Sequence, residues 1–255
     1  MENRYGVIKA HPRPKVLPEA DILHFNHKGK TLMARCPAFG PGTYIDNLVA
    51  MQQSFYHSPA LPQISFRPAT TSESISITHE HLTYVKKKIL DKRWLQLGYH
   101  VLTSEGVFVN PPKDAQEDSP IVDENILKSH LNACKKSHGI YLGNNDFGFA
   151  PYDSFKRGVQ ESGEFAESGL ARLLEYTYRK IALNLKKISS KENYPGGVRV
   201  SEFDASIEPV LRVSALVSLG YLGDRLCVGG GSHGDNGGGD AFGVSPTGEA
   251  SRTQK

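Results

Sequence analysis

The sequence predicts an α+β fold. Hairpin-like pairs of alternating strands recur along the chain. Between them stand segments whose apolar residues repeat at helical spacing, without the regular strand-helix alternation of a parallel sheet. No internal repeat of roughly 20 to 50 residues is visible.

Prolines at 12, 14, 18, 37 and 41 punctuate residues 1–42 and leave room for one hairpin. It runs from Ile22 to Phe25, turns at Asn26-His27-Lys28-Gly29, and returns from Thr31 to Arg35. Thr43 is a good N-cap for a helix, and Asp46 suits its first turn. Ile45, Leu48, Val49, Gln52 and Phe55, with Met51 alongside, mark the face expected to be buried. Residues 57–78 are Ser/Thr/Pro-rich, with a weak strand-like alternation at Ile75-Ser76-Ile77. A second helix is expected over Glu80 to Asp91, burying Leu82, Val85 and Ile89. Trp94 to Leu102 and Gly106 to Val109 alternate as a hairpin around Ser104-Glu105-Gly106. Lys113 to Pro120 is polar and is the best internal linker.

Asp123 caps a third expected helix, with Ile126, Leu127, His130, Leu131 and Cys134 along one face. Gly139 to Leu142 is a short strand. The longest helix is expected from about Glu164 to Ile188, capped by Ser162, with Leu170, Leu173, Leu174, Thr177, Ile181 and Leu185 as its core stripe. Tyr194-Pro195-Gly196-Gly197 ends it. Strands follow at Val198 to Val200 and Pro209 to Leu216. The domain division is an N-terminal region over 1–120 that elaborates the same domain, a main domain over 121–248, and a polar tail over 249–255.

The chain has 255 residues, 38% hydrophobic and 22% charged, which suits a soluble globular protein with a sizeable core. The formal charge is +3 with no basic stripe, so no nucleic-acid partner is expected. Lys86-Lys87-Lys88 reads as a solvated helix face. The cysteines Cys36, Cys134 and Cys227 are odd in number and far apart, which suggests neither a disulfide framework nor zinc. No cofactor is expected. No window is apolar enough to span a membrane, and the N-terminus lacks a secretory signal's apolar stretch. Synthesis in the cytoplasm, with action there or on a virion, is the expectation.

Residues 213–248 differ from the rest. Of these 36 residues 11 are Gly, and Lys, Glu, Gln, Met and Trp are missing. These five types make up 41 of the first 212 residues, so roughly seven would be expected here. Two kinds of position interleave. Leu211, Val213, Leu216, Leu226, Val228, Phe242 and Val244 are spaced as inward-facing strand residues. Between them lie Val217, Leu219, Tyr221, Asp224, Cys227, Gly229, His233, Asp235, Asn236 and Asp240, which share no chemical character. A ladder with one fixed buried face tolerates varied residues on the other. A solvated glycine-rich loop or tail is the plainer reading of the same composition.

A family resemblance bears on the choice. It is carried by Phe147-Gly148-Phe149-Ala150-Pro151-Tyr152-Asp153-Ser154-Phe155, Ser168-Gly169-Leu170-Ala171-Arg172-Leu173-Leu174 and Glu208-Pro209-Val210-Leu211-Arg212-Val213. Asp224-Arg225-Leu226 and Ala241-Phe242-Gly243-Val244 complete it. This stretch resembles the C-terminal part of the variable proteins of diversity-generating retroelements, in particular those of archaea and their viruses. In that family a reverse transcriptase rewrites adenines in a template copy, often within Asn codons. Substitution at the first two bases reaches fifteen amino acids but not Lys, Glu, Gln, Met or Trp, the same five types missing here.

The resemblance implies a C-type-lectin fold that displays variable side chains on a rigid antiparallel platform. It implies a ligand-binding protein, not an enzyme, with protein or glycan targets on a cell or virion. The expected binding positions are Val217, Leu219, Tyr221, Asp224, Cys227, Gly229, Ser232, His233, Asp235, Asn236, Gly237 and Asp240. Tyr221 is the aromatic anchor. Arg212, Arg225, Leu226 and Phe242 belong to the framework, the two arginines bonding carbonyls or pairing with Asp204 or Glu208.

Other chemistry fits less well. Gly230-Gly231-Ser232-His233-Gly234 matches G-x-S-x-G, but no helix and no later His follow. Gly234-Asp235 and Gly239-Asp240 match a calcium-binding repeat only in part. His79-Glu80-His81, read as a strand, would place two imidazoles on one side, but turn or surface histidines are the plainer reading. A copper-dependent oxidase, as in the related formylglycine-generating enzymes, would need paired thiolates, and this stretch holds only Cys227. That oxidase and a passive structural surface protein are the alternatives to a binding protein.

Overall fold

The computed structural model describes residues 21–53, 55–58, 61–114, 119–218, 224–232 and 238–246. It is a mixed α+β structure with mostly antiparallel sheets. Strands β1 (Asp21–His27) and β2 (Lys30–Cys36) form the expected hairpin. Its two turn residues, Lys28 and Gly29, both have positive φ, as the tight turn of a twisted hairpin requires.

Strand β3 (Phe39–Gly42) leads into α1 (Tyr44–Gln53). This helix is rotated from the expected face: Tyr44, Asn47 and Met51 are buried and Ile45 is exposed. Asn47 Nδ2 donates to Gln96 Oε1 and to the Gly239 carbonyl, and Tyr44 packs edge-on against Tyr99. A satisfied polar side chain has displaced an apolar one from the core face. Phe55 lies beyond the helix, in β4 (Phe55–Ser58), which pairs with β5 (Leu61–Ser65).

After β6 (Arg67–Pro68), α2 runs over Thr71–Glu80, where the sequence suggested a weak strand. Thr70 and Glu73 form a capping box, and Arg67 grips the Glu73 carboxylate with both terminal nitrogens. Hydroxyls on the buried helix return to its own carbonyls, Ser76 to Ser72 and Thr78 to Ser74, so a Ser/Thr-rich segment is buried without orphaned donors. The expected helix at Glu80 to Asp91 is instead α3 (Leu82–Val85) followed by a π-helical turn at Lys86–Leu90.

Strands β7 (Trp94–Leu102) and β8 (Gly106–Val109) form the hairpin read from the sequence. Asp123 caps α4 (Glu124–Leu131), but only Leu127 is buried there, while Ile126 and His130 face outward. Strands β9 (Lys135–Ser137), β10 (Ile140–Leu142), β11 (Gly148–Pro151) and β12 (Gly158–Gln160) follow.

The single long helix expected at 164–188 is three: α5 (Ser162–Glu167), α6 (Gly169–Glu175) and α7 (Leu183–Ile188). Ser168 leaves helical geometry to cap α6, and Tyr176 ends it in the left-handed region. Ser162 is the first residue of α5, not its cap, and its hydroxyl donates to the Lys186 carbonyl. Leu170, Leu173, Leu174 and Leu185 are buried as expected, but Thr177 and Ile181 lie between α6 and α7 and are only half-buried.

The remaining strands are β13 (Val198–Ser201), β14 (Val210–Val217), β15 (Leu226–Ser232), β16 (Gly239–Ala241) and β17 (Gly243–Pro246). The large sheet runs β12-β13-β15-β14-β7-β8-β11-β10-β9. It is antiparallel except where β15 lies parallel to β13. Strand β16 lies parallel to the start of β7 and antiparallel to β3. A smaller sheet runs β1-β2-β17-β6. Strands from before residue 120 therefore share one sheet with those from after it. The core lies between this sheet and α2, α5, α6 and α7. Among the described residues, no helix is long and apolar enough to cross a membrane.

Gly40 lies where β3 meets β16, at φ 135°, and a β-carbon there would stand 2.5 Å from the Gly239 carbonyl oxygen. Gly40→Ala is expected to cost about 3 kcal/mol through overpacking and backbone strain, read as a lowered midpoint in chemical denaturation.

Candidate functional site

Strand β15 is held on both edges, with Val198 to Ser201 on one side and Val213 to Val217 on the other. Its side chains alternate between two faces. Leu226 and Val228 enter the main core, and Gly230 faces the Phe203 ring, which a β-carbon would meet at 2.6 Å. Cys227, Gly229 and Gly231 lie on the opposite face.

On that opposite face the Trp94 and Glu202 side chains cover the glycines of β15. Trp94 projects from β7 across the intervening β14. A β-carbon at Gly229 would lie 3.2 Å from its Cζ3 and 3.7 Å from Glu202 Oε2. The Glu202 side chain lies against Gly231. Arg199 is the register neighbour of Cys227, and both Arg199 and Glu202 are exposed. The Cys227 thiol sits 3.6 Å from Ser201 Oγ. Burial pushes its pKa up, and the Glu202 charge adds to this, against the pull of Ser201 and Arg199. It is a protonated, packed thiol, not a reactive thiolate.

Several positions read as outward-facing are not. Val217, Cys227, Gly229 and Asp240 are buried. The reason is that both faces of this sheet are covered near β7. Trp94 reaches over one, the helical core fills the other, and β16 inserts Asp240 beside β3. Asp224 is exposed, at φ 54°. Ser232 ends β15. Leu219, Tyr221, His233, Asp235, Asn236 and Gly237 lie outside the described residues. Leu226, Phe242, Val213, Leu216, Val228 and Val244 are buried. Arg212 donates to the Leu211 carbonyl at 2.9 Å, and Arg225 to that of Gly196 at 3.0 Å.

Asp240 is 1% exposed, with Arg93 Nε 2.8 Å from its Oδ2. Burial raises its pKa to about 6 against the opposing pull of Arg93. A second buried carboxylate behaves in the opposite way. Asp146 accepts hydrogen bonds from Ser72 Oγ at 2.6 Å and Lys28 Nζ at 2.5 Å. Burial works against its charge, yet these donors hold its pKa below the usual range. His27 completes this cluster, with Ser76 Oγ 2.9 Å from Nδ1 and Ser72 Oγ 3.3 Å from Nε2. The order is histidine, serine, carboxylate, so Ser72 donates to Asp146 and is no nucleophile activated by His27. Lys28, Asn110, Asn145 and Asp146 all have positive φ, and their convergence marks a clasp between the β1–β2 turn, α2 and the loop before β11.

A third polar pair, His100 Nδ1 and Ser214 Oγ, 2.9 Å apart, is sealed from solvent between β7 and β14. Burial lowers the His100 pKa to about 3, so the imidazole is neutral and locks the two strands. His79 and His81 lie at the end of α2, not on a strand, and His81 Nε2 donates to the His24 carbonyl. Among the described residues no three His, Cys, Asp or Glu side chains converge as a metal site would need. Cys36, Cys134 and Cys227 are unpaired.

The sequence reading missed Trp94, Arg199 and Glu202. Arg199 was visible as the polar residue between Val198 and Val200, and Trp94 as the chain's one tryptophan. The meeting of Trp94 and Glu202 over β15 depends on strand order. The chain matches no family model, no curated protein and no solved structure.

The two carboxylates are expected to titrate with opposite effects on stability. Asp240 has a raised folded pKa, so its favourable contribution is complete below about pH 4 and is lost as pH rises through about 6. Asp240→Asn should therefore stabilise the protein above pH 6, by up to about 3 kcal/mol, with the gain vanishing near pH 4. Asp146 is depressed, so Asp146→Asn should cost about 2 kcal/mol at neutral pH and progressively less in acid. Melting midpoints of both variants against the parent between pH 4 and 8 check both signs.

Proposed function

We propose that the protein binds ligands through a surface built around β15, whose side chains are diversified by a retroelement on a framework of C-type-lectin type. The observation that carries this reading is a coincidence within residues 213–248. The five missing residue types are those unreachable from rewritten Asn codons, and among the described residues of the same stretch the framework positions Val213, Leu216, Leu226, Val228, Phe242 and Val244 are buried. A segment free to vary needs its fold specified elsewhere. Here Leu216, Leu226, Val228, Phe242 and Val244 do that from beneath, while β13 and β14 hold both edges of β15.

Burial narrows the display set. A charged or bulky residue at Val217, Cys227 or Asp240 would enter packed surroundings, so these positions belong with the framework. Asp224 remains a display position, joined by Leu219, Tyr221, Ser232, His233, Asp235, Asn236 and Gly237 from the sequence reading. Gly229 is intermediate, since any side chain there must displace the partly exposed Trp94 ring. The targets proposed are proteins or glycans on a cell or virion.

Two measurements test this. Gene copies from related genomes should differ mainly at codons for the display set, with an Asn-rich, near-identical template close by. Differences spread evenly along the chain, with no template, would sink the proposal. In a melting-temperature series, Asp224→Asn should be neutral within about 0.5 kcal/mol. Asp224→Val should cost about 1 kcal/mol from its left-handed backbone, and Cys227→Asp more than about 3 kcal/mol from burying a charge.

A further inference from the structure

Away from β15, an open groove of about 500 Å3 lies where α7 packs against α5. Its position follows from the break between α6 and α7. After that break the Ala182 amide donates to the Ala166 carbonyl at 2.8 Å, which lays α7 beside α5. Leu183, the first residue of α7, stands in the wall of the groove and is 37% exposed. Gly163 of α5 also lines it, and a β-carbon there would meet nothing within 4 Å.

The rest of the wall is mostly carbon, although lysines supply much of it. Lys186, Lys187 and Lys191 are exposed, and their methylene stems line the groove while their ammonium groups stay in water. Three lysines face one lining carboxylate, Glu161, whose Oε2 lies 3.1 Å from Lys191 Nζ. Among the described residues Lys186 and Lys187 form no salt bridge. Ser162 is buried, and its Oγ already lies 3.1 Å from the Lys186 carbonyl and 2.7 Å from Ser189 Oγ. The groove therefore offers an apolar wall, polar groups that are already bonded and an excess of positive charge at its mouth.

We infer that this groove binds a free medium-chain fatty acid, with its chain along Leu183 and the lysine stems and its carboxylate at Lys186 and Lys187. The volume falls within the range of small-molecule sites, roughly 300 to 1,000 Å3. The chain supplies the binding energy by leaving water, and the head sets the orientation by charge. A nucleotide fits less well, because the lining has no aromatic ring to stack on a base and no guanidinium to fork a phosphate. A protein partner fits less well, because interfaces draw affinity from several clustered anchors and the groove offers one leucine.

The groove shares no residue with 213–248, so the inference goes beyond the display reading and stands or falls apart from it.

Calorimetric titration of the full chain tests it, with three amphiphiles kept below their micelle concentrations. Decanoate should bind saturably with Kd on the order of 0.1 mM. Butyrate, which has the same head and six fewer carbons, should give no saturable heat, because each buried methylene contributes about 0.8 kcal/mol. Decyltrimethylammonium, which has the same chain length and the opposite charge, should bind at least tenfold more weakly than decanoate.

Lys186→Gln and Lys187→Gln together should weaken decanoate about fivefold or more. Leu183→Glu should weaken it at least tenfold, by removing apolar wall and adding a like charge. Neither variant should lower the melting midpoint appreciably, since these side chains are exposed and a carboxylate suits the first turn of a helix. The absence of saturable decanoate binding, equal affinity for the cationic amphiphile, or affinity unchanged in both variants overturns the inference. Pelleting with phosphatidylglycerol vesicles, without binding of free decanoate, would assign the face to a membrane surface and overturn it as well.

Discussion

The pairing of β7 with β14 is the constraint on which the rest of the structure depends. It joins residues more than a hundred positions apart, from Val210 opposite Leu102 to Leu216 opposite Leu95. Closing so long a loop costs entropy before any contact forms. Burial on both faces offsets that cost. Leu95, Leu97 and Leu216 enter the main core, while Val213 and Val101 join clusters on the other side. At the centre, the neutral His100 imidazole meets Ser214, so the seam buries a polar pair with its shared hydrogen bond made. A shift in register would separate that pair and expose apolar residues on two faces.

The proposed display surface hangs from this seam. Strand β15 takes its register from β14, and β16 takes its place from the first residues of β7. Trp94 begins β7, which is why its ring reaches across β14 to the glycines of β15. Asp240 is carried under the sheet edge by the same pairing, opposite Leu95 and next to Arg93. The clasp at Asp146 performs a similar task at a distance, tying the first hairpin to α2 through donors that keep its carboxylate charged. The contrast between the two carboxylates is one of donor number: Asp146 has its charge met from several sides, while Asp240 has chiefly Arg93.

Local signals were legible where one residue or one period decides the matter. Alternation in Trp94–Leu102 and Gly106–Val109, the Asp123 cap and the first hairpin are properties of neighbouring residues and stand in the fold, although the turn read over Asn26-His27-Lys28-Gly29 tightens to Lys28-Gly29. Where two local signals compete, the reading failed. The stripe from Leu170 to Leu185 is continuous in period, but Tyr176 ends α6 and residues 177–182 are not helical, so Thr177 and Ile181 are only half-buried. Thr71 to Thr78 looked like a loop or weak strand because hydroxyls dominate it. It became a buried helix because those hydroxyls bond within the helix and Arg67 secures Glu73 at its start.

The sequence by itself determined the α+β class, the alternating framework of the last strands and the missing residue types of 213–248. These follow from side-chain period and composition, which need no partner strand. Tertiary structure alone decided which residues between the framework positions face solvent. Alternation assigns a residue to a face, but only the neighbouring strands and what crosses them determine whether that face is open. Val217, Cys227 and Asp240 were closed in this way. By the same packing Trp94 and Glu202 were brought over the glycines of β15.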